Sequence, residues 1–63
     1  RSIETTGNGV VYYGHGESLV AMDMATGKAA VVAEAPDDIE HVAVSPQGDV
    51  YIACGVDVYR VKM

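Results

Sequence analysis

Two histidines, nine carboxylate side chains and one cysteine are the groups through which this chain can hold a metal or move a proton. Their spacing decides which of them can act together. His15 and Glu17 sit in the glycine-rich stretch Gly14-His15-Gly16-Glu17, where an extended turn would point an imidazole and a carboxylate the same way. A metal site needs at least one further ligand and a closed environment, so the plain reading is a solvated hairpin tip. Glu40 and His41 form the better pair, adjacent to each other and just after the acidic Pro36-Asp37-Asp38 segment. Asp37, Asp38 and Glu40 lack the glycine-punctuated spacing and terminal glutamate of a calcium loop, and read as a solvated turn. Cys54 has no basic neighbour in sequence to lower its pKa, and reads as a small buried hydrophobe. We find no complete catalytic set and predict no cofactor. A divalent cation is the one group these side chains admit, with Glu40, His41, His15 and Glu17 as its candidate ligands.

Charge and composition narrow the partners. The net charge is −5 and the cationic side chains Arg1, Lys28, Arg60 and Lys62 are scattered. That excludes a basic surface tracking phosphates, hence nucleic acid. No apolar run approaches the roughly 18–20 residues that span a bilayer and no charged-then-apolar leader opens the sequence, so the segment reads as soluble, without a membrane span. A single cysteine fits a reducing compartment and equally a buried thiol in a secreted fold. At 63 residues the chain makes at most one small domain, whose core supplies only about 3–5 kcal/mol without staples. With one cysteine and two distant histidines, neither a disulfide nor a structural zinc is expected. The 49 % hydrophobic content therefore calls for burial against something else: other copies of the chain, or the rest of a larger protein.

The elements that would position these groups are short strands. Residues 1–9 read as a polar lead-in ending in the Gly7-Asn8-Gly9 turn. Val10–Tyr13 is a β-branched and aromatic run, stopped by the glycine-rich tip. Ser18–Asp23 follows, then a turn set by Gly27, which is free to take positive φ. Ala29–Ala35 is the return strand, weakened by its alanines. Glu40–Ser45 comes next, and Ser45-Pro46-Gln47-Gly48 carries the residues of a type I turn, Pro46 at its second position and Gly48 at its fourth. Val50–Cys54 and Val58–Lys62 complete six strands, all joined locally. The rival reading is one helix over residues 18–35, opposed by Gly27 and the Val31-Val32 pair. The fold class expected is all-β, an antiparallel meander of about six short strands. Tyr12, Tyr13, Tyr51 and Tyr59 are read as packing groups between sheets.

The sequence also matches itself. A shift of 39 positions lays Gly9 on Gly48, Val11 on Val50, Tyr12 on Tyr51, Gly16 on Gly55 and Met24 on Met63 without a gap. A period near 40 residues with four short strands per unit is that of a β-propeller blade. The residues Gly9-Val10-Val11-Tyr12-Tyr13-Gly14, Leu19-Val20-Ala21-Met22-Asp23 and Thr26-Gly27-Lys28 resemble the quinoprotein-type propeller repeat. Val42-Ala43-Val44-Ser45-Pro46-Gln47-Gly48-Asp49-Val50-Tyr51-Ile52-Ala53 is similar to blades of the NHL, YVTN and gluconolactonase types. Together these stretches cover about four-fifths of the chain. There is no tryptophan, so neither the tryptophan-docking signature of the quinoprotein repeat nor the Trp-Asp dipeptide of WD repeats is present, and cofactor binding is not carried over.

The resemblance implies about one and a half blades: a lead-in over 1–9, the last three strands of one blade over 10–35, and the first three strands of the next over 36–63. It places Glu40 and His41 at the start of an innermost strand, beside the channel where propellers often bind ligands and calcium. The function expected is a non-catalytic scaffold segment completed by other copies or by remaining blades. The alternative is a fragment of a propeller lyase, lactonase or dehydrogenase that contributes Glu40 and His41 to a metal-dependent site. Propellers host all of these on one framework.

Overall fold

The computed structural model describes residues 3–5 and 9–61. Every regular element among them is a strand: β1 (Ile3–Thr5), β2 (Val10–His15), β3 (Ser18–Asp23), β4 (Ala29–Glu34), β5 (His41–Val44), β6 (Val50–Cys54) and β7 (Asp57–Val61). They form two antiparallel sheets, in the orders β1-β2-β3-β4 and β5-β6-β7. The chain is all-β, and the helix considered over residues 18–35 is replaced by β3 and β4. No helix in the described residues is long and apolar enough to cross a membrane.

The return strand stops at Glu34 and not Ala35, the next runs over His41–Val44 inside the expected 40–45, and the last begins at Asp57, which was expected in the turn. Two further differences matter more. The lead-in reading is corrected at Ile3–Thr5, which pairs with β2 in the register Ile3↔Tyr13, Glu4↔Tyr12, Thr5↔Val11, so the first sheet has four strands where residues 10–35 alone were expected to give three. Two β-branched residues in three suit a ladder, but what makes the strand is its partner β2. The Gly7-Asn8 part of the expected turn, and the Lys62 and Met63 ends of the last strand and of the self-match, lie outside the described residues. The second difference is His15. It closes β2 opposite Ser18 instead of sitting in a four-residue turn.

The β2–β3 and β6–β7 hairpin loops are accordingly two residues long, Gly16-Glu17 and Gly55-Val56. In each the glycine comes first, with φ +60 at Gly16 and +61 at Gly55, and the second residue stays at negative φ. That sign pattern belongs to a type II′ turn, whose twist matches the flanking strands. The alanine-rich β4 forms despite its weak propensity because it pairs along β3 from Ser18↔Glu34 to Met22↔Ala29, with a bulge at Leu19/Val20. The Ser18 hydroxyl adds a cross-strand bond to the Glu34 carboxylate at 3.0 Å. At Ser45-Pro46-Gln47-Gly48 the Gly48 N–H donates to the Ser45 carbonyl at 2.9 Å and the Asp49 N–H to Ser45 Oγ at 3.1 Å.

The sheets pack on each other through Leu19, Ala35, Ile39, Val42, Val50, Ile52 and Cys54, with Tyr12, Ala33, Val44 and Val61 against them. Leu19 and Val50 are fully enclosed. Burying each such side chain is worth about 1.5–3 kcal/mol. Val11 and Val20 are also buried, yet stand outside this cluster, on the opposite face of the first sheet.

The two ladders coincide under the 39-residue shift. Glu4↔Tyr12 becomes Ala43↔Tyr51, Val11↔Met22 becomes Val50↔Val61, and Gly14↔Leu19 becomes Ala53↔Val58, each an observed pair. The glycines with positive φ follow the same shift, +84 at Gly9 against +89 at Gly48.

Candidate functional site

The connection from β4 to β5 is fastened to the tip of the β2–β3 hairpin. The Ala35 N–H donates to the Glu17 carbonyl at 2.7 Å and the Ile39 N–H to the Gly16 carbonyl at 2.8 Å. One residue on, the Glu40 N–H donates to the Ala53 carbonyl at 2.8 Å, which extends the β5–β6 ladder by a rung. Between these fixed points lies a cleft of ≈ 450 Å³ lined by Gly14, Gly16, Asp38, Ile39, Glu40 and His41. Its floor is Ile39, buried against Gly14, and Glu40 and His41 stand exposed at its wall.

The structure thus brings Glu40 and His41 into one cleft with Asp38 and the glycines of the neighbouring hairpin tip. His15 and Glu17 are exposed and are not among its lining residues; Glu17 contributes its backbone carbonyl to the connection instead. Among the described residues no group of three or more His, Cys, Asp or Glu side chains is placed to hold a metal ion. Of the turn residues, Gly27 has φ +74 and Gly48 φ +89. The Gly27 turn is closed by its N–H donating to the Asp23 carbonyl at 2.7 Å, while the Asp23 carboxylate accepts the Ala25 N–H at 2.8 Å.

Sequence reasoning missed Gly14 and Ile39. It assigned Gly14 to the turn, although a glycine that interrupts a β-branched and aromatic strand is itself a sign of close approach by another part of the chain. Ile39 carried no signal, since its role depends on a contact 25 positions away in sequence.

Cys54 is enclosed in the inter-sheet core, in the same buried cluster as Ile39. Burial pushes its thiol pKa up, and the carboxylates of Asp37, Asp57 and Glu40 push it further, against a weaker opposing pull from the Asp37 backbone N–H. Tyr59 is raised in the same direction, first by the Asp57 carboxylate. A thiol or phenol whose pKa is raised by folding binds its proton more tightly in the folded chain than in the unfolded one. Its contribution to stability is therefore complete below the unfolded thiol value of about 8.5 and is lost as pH rises through the folded pKa. The melting temperature is expected to fall from pH 8 upward, and Cys54→Ala should flatten the first part of that fall without removing the part due to Tyr59. The same burial should make Cys54 slow to react with a thiol reagent at pH 7 until the chain is unfolded.

Compared with known protein families, with curated proteins and with solved structures, the chain matches none.

Proposed function

We propose that this chain is a non-catalytic β-propeller segment acting as a structural or protein-interaction scaffold, completed by other copies of itself or by further blades. The observation that carries this reading is the coincidence of the two β-ladders under a 39-residue shift. A period of that length, in antiparallel sheets packed face to face, is the pattern of consecutive blades. The apolar residues left at the surface, Val31, Val32, Val56, Val58 and Tyr59 among them, favour a role in which other β-elements cover them. No nucleic-acid partner is proposed for so acidic a chain.

The enzyme-fragment reading is favoured by one feature, the cleft that gathers Asp38, Glu40 and His41. Titration with Zn²⁺, Mn²⁺ and Ca²⁺, followed through the His41 and Glu40 side-chain NMR signals, separates the two. On the scaffold reading no saturable shift appears, and Glu40→Ala with His41→Ala changes stability by no more than about 0.5 kcal/mol, as for other exposed sites. Saturable binding of one metal, together with a turnover that the double variant abolishes, would replace the scaffold by the enzyme fragment.

A further inference from the structure

The two sheets of the chain meet through different faces. Directly paired residues share a face and successive residues alternate. In the first sheet Tyr12, Gly14, Leu19 and Ala33 therefore point into the core, and Val11, Tyr13, Val20 and Met22 point away from it. In the second sheet Val50, Ile52, Tyr59 and Val61 point inward, and Ala43, Tyr51, Ala53, Val58 and Arg60 outward. The 39-residue shift carries the outward set of the first sheet onto the inward set of the second: Val11 to Val50, Tyr13 to Ile52, Val20 to Tyr59, Met22 to Val61. It also carries the core-facing Tyr12, Gly14 and Leu19 onto the outward-facing Tyr51, Ala53 and Val58. Each outer surface is thus the register counterpart of a surface that is covered inside the chain. Leu19 is 0 % exposed beneath the second sheet, whereas Val58 at the same register position is 69 % exposed.

We propose that the outer face of the second sheet receives the outer face of the first sheet of another copy of this chain, repeating between copies the packing that joins the two sheets within one. This rests on the scaffold reading above and names its partner and surface. A shallow apolar groove of ≈ 200 Å³ marks the receiving face, its small residues Ala43 and Ala53 flanked by His41, Tyr51 and Val58. The incoming face presents the half-buried Tyr13 and Met22, whose counterparts Ile52 and Val61 already fill such a surface inside the chain. Glu34, paired with Ser18 on the incoming face, and Arg60 on the receiving one give the two faces opposite charges. The contact is head-to-tail, so repeated copies build a ring or an open stack rather than a symmetric dimer.

Sedimentation velocity of the full chain over a range of concentrations, with two complementary variants, tests this. Val58→Lys spoils only the receiving face and Tyr13→Lys only the incoming face; Met22→Lys is a second variant of the latter, should Tyr13→Lys fail to fold. The unaltered chain is expected to associate with rising concentration, and each variant alone to lose association by about 100-fold or more, since an unpaired buried charge is costly. Mixing the two variants should restore one intact interface and give a 1:1 heterodimer that grows no further. A chain that stays monomeric throughout, a Val58→Lys chain that assembles like the original, or a mixture without heterodimer overturns the proposal. Metal-dependent turnover in a chain that assembles this way would sink the scaffold reading alone; a monomer without turnover would sink this inference alone.

Discussion

Leu19→Ala is expected to leave the chain largely unfolded at 25 °C. Leu19 is fully enclosed and belongs to the same buried cluster as Val42, Val50 and Ile52 of the second sheet. Truncating a buried leucine costs about 2–5 kcal/mol, more where the surroundings cannot collapse into the space. Here the other first-sheet side chains at the core are Tyr12 and Ala33, with Ala35 just past the end of β4; the two alanines are too small to fill the space. A domain of this size has only about 3–5 kcal/mol to lose. Urea titration followed by far-UV circular dichroism measures the effect. Val58→Ala, at the matching register position of the second sheet, is the control and should shift stability by no more than about 0.5 kcal/mol in the isolated chain. Equal costs at the two positions would mean that the sheets do not pack through Leu19.

Gly14→Ala is the second large effect. A Cβ at this position would lie 2.7 Å from Ile39 Cγ2 and 2.9 Å from Ile39 Cβ, distances that demand a shift. Ile39 has little room to give. Its N–H is held by the Gly16 carbonyl, its side chain is buried, and β-branching stiffens its rotamer. Overpacking of this kind costs about 1–3 kcal/mol. In a double-mutant cycle, Ile39→Ala should return part of that cost, because Cγ2 is removed, but not all of it, because the Ile39 Cβ stays. Neighbours in direct contact typically couple by about 0.5–3 kcal/mol. Strict additivity of the two substitutions would show that Gly14 and Ile39 do not touch.

These two positions also show where the sequence was readable. Leu19 lies in an apolar run bounded by turn residues, and the glycines at 16, 27, 48 and 55 punctuate the chain where the backbone does turn. Six strands could be placed from those local signals. The strand Ile3–Thr5 could not, because three residues beside a glycine-rich segment carry too little pattern and owe their conformation to β2. Glu40 and His41 stood out as an adjacent pair, but the cleft around them is assembled by hydrogen bonds from residues 35 and 39 to the tip of a distant hairpin, which no local pattern announces. His15 does not join Glu40 and His41 although its hairpin tip reaches the cleft, because it closes β2 on the face that carries Val11 and Tyr13, and Glu17 meets the connection only through its carbonyl.

The two short bonds at Ala35 and Ile39 have a mechanical consequence. They rivet the connecting segment to the hairpin beside it through main-chain atoms alone, contacts that do not depend on which side chains the two segments carry. Lengthening the chain by one residue between 35 and 39 would put the two bonds out of step and free one end of the connection from the hairpin.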